Sequence, residues 1–336
     1  MYVVSMTDVV SLAETLIAQP SLTGAEASAV ALASQWFRER GWTVTLQEVS
    51  ATRANIWASH GLGSVTLSTH LDTVPPFIGP GRLGNRLTGR GACDAKGIAA
   101  AMMVAAQTLA EEGEIRVDVL LVVGEEKGSD GARAANLLPA TSRFLINGEP
   151  TEGLLASGAK GSMLVTVRTH GRAAHSAYPE LGDSALAPMM SLLSTLDELE
   201  LPTDPALGST TINVGTLHAG REANIIPDEA IAQLMVRLVG DAADVRIILE
   251  RWALGRAELE FAPHIPAQHF HTIPGFESGP VSYTSDIPLL DRWGTPLLFG
   301  PGSIHVAHTR DEFIEIDELR DSVGSYMRLV RRLLAS

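Results

Sequence analysis

A single cysteine, Cys93, stands in a chain of 336 residues, so no internal disulfide can form and folding needs no oxidising compartment. Basic residues are scarce as well: 25 Lys plus Arg face 39 Asp plus Glu, a formal charge of −14. That balance excludes the broad basic surface by which nucleic acids and anionic membranes are bound. Charged residues make up only 19% and hydrophobic ones 45%, which is globular and not disordered composition. Long apolar runs are missing too. The most apolar stretch, 97–110, contains Gln107 and is too short to span a bilayer. The N-terminus MYVVSMTDVVSLAETL lacks the basic segment, apolar core and cleavage site of a signal peptide. The expectation is a cytoplasmic protein of about two domains.

What the chain does contain is alternation. Val9, Val10, Leu12, Leu16 and Ile17 recur at helical spacing, and Thr23 with Glu26 forms a capping-box pattern before a second helix ending at Gly41. Short β-branched runs follow at 43–48, 55–59 and 64–69, then an alanine-rich helix over 94–113, a strand at 116–123, a helix near 129–138 and a strand at 143–147. Nearly continuous apolar strands between helices indicate an α/β fold whose mostly parallel sheet is covered on both faces. From about residue 160 the order becomes strand 162–170, helix 183–198, strands 210–217 and 229–239, helix 241–254 and strand 257–262. That is the β-α-β-β-α-β order of a ferredoxin-like α+β unit. Alternation then resumes with a helix near 285–293, a strand at 295–300 and a helix near 317–335. The simplest organisation is a first domain of residues 1–159 and 269–336 interrupted by an inserted domain of residues 160–268.

Three predicted strands end in groups that bind metals: 64–69 runs into His70 and Asp72, 116–123 into Glu125 and Glu126, and 143–147 into Glu149. Ligands of open α/β sheets bind beyond the carboxyl ends of the strands, so these groups can converge. Asp94 opens the long helix and His308 follows the last strand and turn. Imidazole and carboxylate donors together suit zinc, or cobalt and manganese, better than calcium or magnesium. Taken singly, each acid after a strand is more often a helix cap or a solvated turn residue. Their joint placement is the signal, since no compact motif such as HExxH is present.

The blocks STHLDTVP (68–75), GRGACDAKG (89–97), GEEKGSDG (124–131), INGEPT (146–151), GRAAHSAYPELG (171–182), EANIIPDEA (222–230) and GPGSIHVAHTRDE (300–312) occur in this order. Together they resemble the di-zinc hydrolases that include acetylornithine deacetylase, succinyl-diaminopimelate desuccinylase, aminoacylase and carboxypeptidase G, and the resemblance spans essentially the whole chain. It implies a zinc-hydrolase catalytic domain with an inserted lid and dimerisation domain. It also implies two zinc ions, one held by His70 and Glu149, the other by Glu126 and His308, with Asp94 bridging both. Two dications at such close range repel strongly, which a bridging carboxylate offsets. Asp72 is then the acceptor that fixes the His70 tautomer. Glu125 is the general base and acid, taking a proton from the attacking water and passing it to the leaving amine.

By the same resemblance, His175 reaches the partner subunit's active site to stabilise the tetrahedral oxyanion, which implies a homodimer built through the inserted domain. Asn224 and Arg237 hold substrate, and Arg237 can clamp a carboxylate through two parallel hydrogen bonds. Glu149, where the aminopeptidases carry Asp, points to deacylases and carboxypeptidases. The closest motif match is acetylornithine deacetylase, so an N-acyl amino acid is the expected substrate. A succinylated diamino acid or a dipeptide would use the same machinery. Gly124 directly before the acids departs from the acetylornithine enzymes. A catalytically silent amino-acid-binding paralogue is the reading from another class, and it would require loss of a ligand or of Glu125. His305 and Cys93 are read as bystanders, Cys93 as a packing residue without an orienting partner.

Overall fold

The computed structural model describes residues 7–336; residues 1–6, the start of the segment read as lacking signal-peptide character, lie outside the described residues. The chain divides into two compact units. One runs to Ser157 and continues over Phe270–Gly279 and Ser285–Ser336, and the other comprises Gly158–His269 and Pro280–Thr284. The return of 280–284 to the second unit differs from a single boundary at 269. Its cause is local pairing, the Lys160 N–H donating to the Val281 carbonyl at 3.2 Å.

The first unit opens with α1 (Thr7–Ile17) and α2 (Ala27–Arg38), then β1 (Thr43–Ser50), β2 (Arg53–Ser59), β3 (Val65–His70), and the short β4 (Gly81–Leu83) and β5 (Arg86–Thr88). It continues with α3 (Lys96–Glu111), β6 (Val117–Val122), α4 (Asp130–Ala135) and β7 (Phe144–Asn147). After β8 (Leu155–Ala159), the second unit carries β9 (Gly161–His170), α5 (Leu186–Leu193), β10 (Thr203–Asp204) and β11 (Gly208–Ser209). There follow β12 (Thr211–Ala219), β13 (Glu229–Leu238), α6 (Ala242–Ala253) and β14 (Glu258–Phe261). The chain closes through β15 (Gln268–His269), β16 (Ser278–Val281), β17 (Thr295–Leu298), β18 (Phe313–Glu315) and α7 (Ile316–Leu334).

In the first unit the main sheet has the order β1-β2-β6-β3-β7-β17. Strands β6, β3, β7 and β17 are mutually parallel, whereas β2 pairs antiparallel with both β1 and β6. Every residue of β3 and of β6 is buried, because both faces of the sheet are covered. Val117, Val119 and Leu121 join a core with residues of α1, α2, α3 and α7. Leu120 and Val122, on the opposite face, meet Ala132, Ala135, Leu290 and Trp293. Small alanines let α3 pack closely, and its Met102, Met103 and Leu109 are fully buried, each such side chain contributing about 1.5–3 kcal/mol.

Three local expectations give way. Thr23 and Glu26 do not form a capping box: Glu26 makes no side-chain cap hydrogen bond, because Thr23 donates to Asp72 and Glu26 binds Arg53. The helix expected near 285–293 is only a turn of 3-10 helix over Ile287–Leu289, ending at Leu290. The segment 183–198 is split between α5 and a 3-10 turn at Leu196–Glu198.

The main sheet of the second unit is antiparallel, of order β12-β13-β9-β14. With α5 after β9 and α6 after β13, this is the ferredoxin-like arrangement. Its core joins Val165, Val167, Leu234 and Val236 to Met189 and Leu192 of α5 and to Val245 and Leu249 of α6. The alternate residues of β13, Glu229, Ile231, Gln233, Met235 and Arg237, are less buried than their neighbours. That period of two puts them on the face away from this core.

Candidate metal centre

The parallel strands of the first unit end on one edge, and the residues just past those ends meet there. His70 is the last residue of β3, Glu125 and Glu126 start a 3-10 turn after β6, and Glu149 follows β7. Asp94 lies before the first turn of α3, and His308 sits in the loop beyond β17. Two groups of three offer ligand atoms within 4.8 Å of one another: His70, Asp94 and Glu149, and Asp94, Glu126 and His308. Asp94 is common to both. Its Oδ1 lies 3.0 Å from His70 Nε2 and its Oδ2 3.2 Å from His308 Nε2, so each oxygen faces one group. Glu126 Oε2 lies 3.0 Å from the same His308 nitrogen. Glu125, its neighbour in sequence, belongs to neither group.

The two imidazoles and four carboxylates shift one another's proton affinities. Burial works against charge on Asp94, yet hydrogen bonds from His308 and His70 outweigh it and hold the carboxyl well below its usual range. Burial, reinforced by Glu125 and Asp94, pushes Glu149 well above that range. Burial does the same to Glu125, with His70 opposing and Asp286, Asp94 and Glu126 adding to the shift. Hydrogen bonds to Asp94 and Glu126 push half-exposed His308 up to about 10. For His70, burial is outweighed by hydrogen bonds to Asp72 and Asp94, and its proton is held well above the ordinary range.

The turn that carries Glu125 and Glu126 is held from several sides. Asp72 Oδ1 accepts the Glu125 N–H at 3.0 Å and Oδ2 the Glu126 N–H at 3.2 Å, while Thr23 donates to Oδ2 at 2.8 Å. Asp72 also faces His70 Nδ1, 3.5 Å from Oδ1, and the ring nitrogen is 3.0 Å from the Asp72 carbonyl. Asp72 thus orients an imidazole, most closely through its carbonyl, while its side chain pins the backbone of the two acids. Gly124 has φ 81°, and a Cβ there would collide with Asp130 and Arg53; this is the physical reason for the glycine that departs from the acetylornithine enzymes. Buried Asn55 accepts the Val123 N–H at 3.1 Å and donates to the Gly131 carbonyl at 2.8 Å, closing the turn's base.

Sequence reasoning passed over Asn55, Arg90, Asp286 and Glu312. Asp286 is 1% exposed; burial pushes its carboxyl up to about 6 and the Ser129 hydroxyl faces it, yet neither oxygen has a well-formed hydrogen-bond partner. Arg90 and Glu312 are ionisable side chains inside glycine-rich and apolar blocks already noted for their neighbours, and that was the available signal. Cys93 is buried, 3.3 Å from the Ser303 carbonyl, and burial together with nearby carboxylates pushes its thiol well up, away from nucleophilic thiolate. His305 joins neither group.

His175, Asn224 and Arg237 all belong to the second unit. The first two are neighbours: His175 bridges Ile225, and the Ser176 N–H donates to the Asn224 carbonyl at 2.9 Å. Both are exposed. Arg237 is not with them. They flank the Glu229 end of β13, opposite His170, whereas Arg237 lies opposite Ser162, roughly 26 Å further along the strand at its usual rise per residue. Burial lowers the Arg237 pKa.

Comparison with known proteins gives two family matches, "Peptidase family M28" over residues 55–147 and "Peptidase dimerisation domain" over residues 157–253. A peptidase M20 domain-containing protein of Schizosaccharomyces pombe is 36% identical, the alignment covering 96% of this chain and 84% of the relative. A probable carboxypeptidase of Aspergillus clavatus is 35% identical over 99% of this chain and 84% of its own. Among solved structures, a tripeptidase of Staphylococcus aureus superposes with a TM-score of 0.81 at 21% identity, covering 99% of both chains. Among the described residues no helix is long and apolar enough to cross a membrane. Identity at this level over nearly the full length, together with the shared fold, shows that the chain belongs to the M20 peptidase family.

Proposed function

We propose that this chain is a two-metal hydrolase that cleaves the amide bond of short peptides and N-acyl amino acids bearing a free carboxylate, acting in the cytoplasm as a homodimer. The observation that carries the reading is Asp94, whose two oxygens face two separate groups of three ligands. The donor set fits divalent ions. Glu149 Oε1 is buried without a hydrogen-bond partner, and imidazole with carboxylate oxygen suits zinc, with cobalt or manganese as substitutes. Asp94 with His70 and Glu149 would hold one ion, and Asp94 with Glu126 and His308 the other. Bound there, a pair of such ions supplies Lewis acidity toward a carbonyl and an acidified water.

The chain's own groups do the rest. Glu125 belongs to neither group of ligands; its carboxylate takes the proton of the attacking water and delivers it to the leaving amine nitrogen. Arg237, whose side chain makes no hydrogen bond or ion pair among the described residues, binds the substrate carboxylate in a two-pronged contact. His175, beside Asn224, stabilises the oxyanion of the partner subunit's substrate; the match to a peptidase dimerisation domain supports that assembly.

The curated relatives named as probable carboxypeptidases favour release of a C-terminal amino acid over the acetylornithine deacetylase activity that the motifs around Asp94 and His308 suggest. Presence of all five ligand residues and of Glu125 argues against the silent amino-acid-binding paralogue. The test is amine release from dipeptides, N-acetyl and N-succinyl amino acids, each with its carboxylate free or amidated, by chelated protein with and without zinc. We expect zinc-dependent cleavage of free-carboxylate substrates, dipeptides foremost. Cleavage indifferent to amidation would remove the exopeptidase assignment, and silence across the panel with metal bound would favour the paralogue.

A further inference from the structure

Asp94 and His308 come from segments of the first unit on either side of the inserted unit yet lie 3.2 Å apart, and a buried ion pair spans the gap between their backbones. Arg90 is 2% exposed and Glu312 1%, and the two side chains pair although 222 positions separate them. Glu312 Oε1 accepts three backbone N–H groups, from Gly91 at 2.9 Å and from Cys93 and Asp94 at 3.2 Å each. Its other oxygen pairs with Arg90 Nη1. Arg90 Nη2 donates to the His308 carbonyl at 3.4 Å and its Nε to the Pro76 carbonyl at 3.4 Å. The pair therefore grips the loop that presents Asp94 and the residue that presents the second imidazole.

The His308 backbone needs such a grip. Its φ is 64°, in the left-handed region that a side chain disfavours. A buried ion pair is a poor source of stability compared with apolar packing, because both charges lose their water. Its charge-assisted hydrogen bonds are directional, which is what a ligand spacing requires. Groups behind metal ligands set ligand orientation, and their loss weakens binding by about 10–100-fold.

We propose that Arg90 and Glu312 are positioning residues that set the Asp94–His308 spacing and thereby the affinity of the second ligand group, Asp94, Glu126 and His308. The inference rests on the two-metal reading of the site. Glu312 holds the loop of the shared ligand Asp94, so its loss affects both groups; Arg90 alone reaches His308, so its loss falls on the second.

The experiment is calorimetric titration of the metal-free full chain with zinc, for wild type, Arg90→Lys and Glu312→Gln, with circular dichroism on each. Lysine keeps the charge of Arg90 and loses its fork. We expect two zinc ions per wild-type chain, with Arg90→Lys weakening one step by about 10–100-fold and keeping the other. Glu312→Gln weakens both steps. Unchanged affinity at both steps in folded Arg90→Lys overturns the proposal, and so does equal weakening of both, the mark of a general structural role. If Glu312→Gln does not fold, Arg90→Lys alone decides. A wild-type chain that takes up no zinc overturns the two-metal reading itself, an outcome read before any variant is compared.

Discussion

Asp94 turns one oxygen to His70 and the other to His308, and Glu125 stands next to Glu126 without joining either set of ligands. If these roles are divided as proposed, Glu125→Gln retains zinc and loses about 10²–10⁴-fold in turnover, the usual weight of a general base. Metal analysis and steady-state kinetics on the same preparation check this; wild-type turnover in the variant would take Glu125 out of its role. His308 supplies a pH test. Without metal, its bonds to Asp94 and Glu126 raise its pKa from the ordinary 6.5 to about 10, so those bonds contribute stability that is complete below pH 6.5 and is lost as pH climbs through about 10. A ligand imidazole must give up that proton. Zinc binding at pH 8 should therefore release protons, measured as a dependence of the binding enthalpy on buffer ionisation heat, and affinity should rise towards pH 10; a buffer-independent enthalpy would exclude His308 as a ligand. The residues so tested were legible because strand ends in an α/β sheet are where such groups converge. Asn55, Arg90, Asp286 and Glu312 were not, because what they do depends on contacts between distant segments that no local pattern announces.

At the scale of elements, α2, β2 and α4 are tied by one guanidinium. Arg53 donates to Glu26 at 2.8 Å and 2.9 Å and pairs with Asp130, and Glu26 is fully buried. Arg53→Ala would strand that carboxylate in the interior, and should cost about 3–5 kcal/mol, the range for breaking a buried pair from one side. Chemical denaturation reads this directly, and a loss below about 1 kcal/mol, the worth of a surface pair, would show that Glu26 finds water. The same ion pair explains why the Thr23 and Glu26 capping signal misled: both side chains have tertiary partners that outcompete the local cap. Strand β3 was legible from a short β-branched run, β6 from a nearly continuous apolar one and α3 from an alanine-rich segment closed by Gly113. The sheet of β4, β5 and β18 was not, because strands of three residues carry too little periodicity.

At the scale of the molecule, the switch from α/β alternation to the β-α-β-β-α-β order near residue 160 was readable in the chain, since the order of predicted strands and helices changes there. The return of 280–284 to the second unit was not, because it depends on pairing with Lys160. His175 and Asn224 lie together in that unit, far along β13 from Arg237. If His175 serves the partner's site, mixing inactive His175→Ala chains with inactive Glu125→Gln chains should restore activity, because each mixed dimer assembles one intact site. No recovery after subunit exchange, verified by mass, would mean that His175 acts within its own chain or not at all. The most direct test of the whole account is dipeptide hydrolysis by chelated protein as zinc is added back in measured equivalents. The account predicts no turnover without metal and full turnover only as the second ion per chain is taken up. Undiminished hydrolysis by the metal-free chain would contradict it.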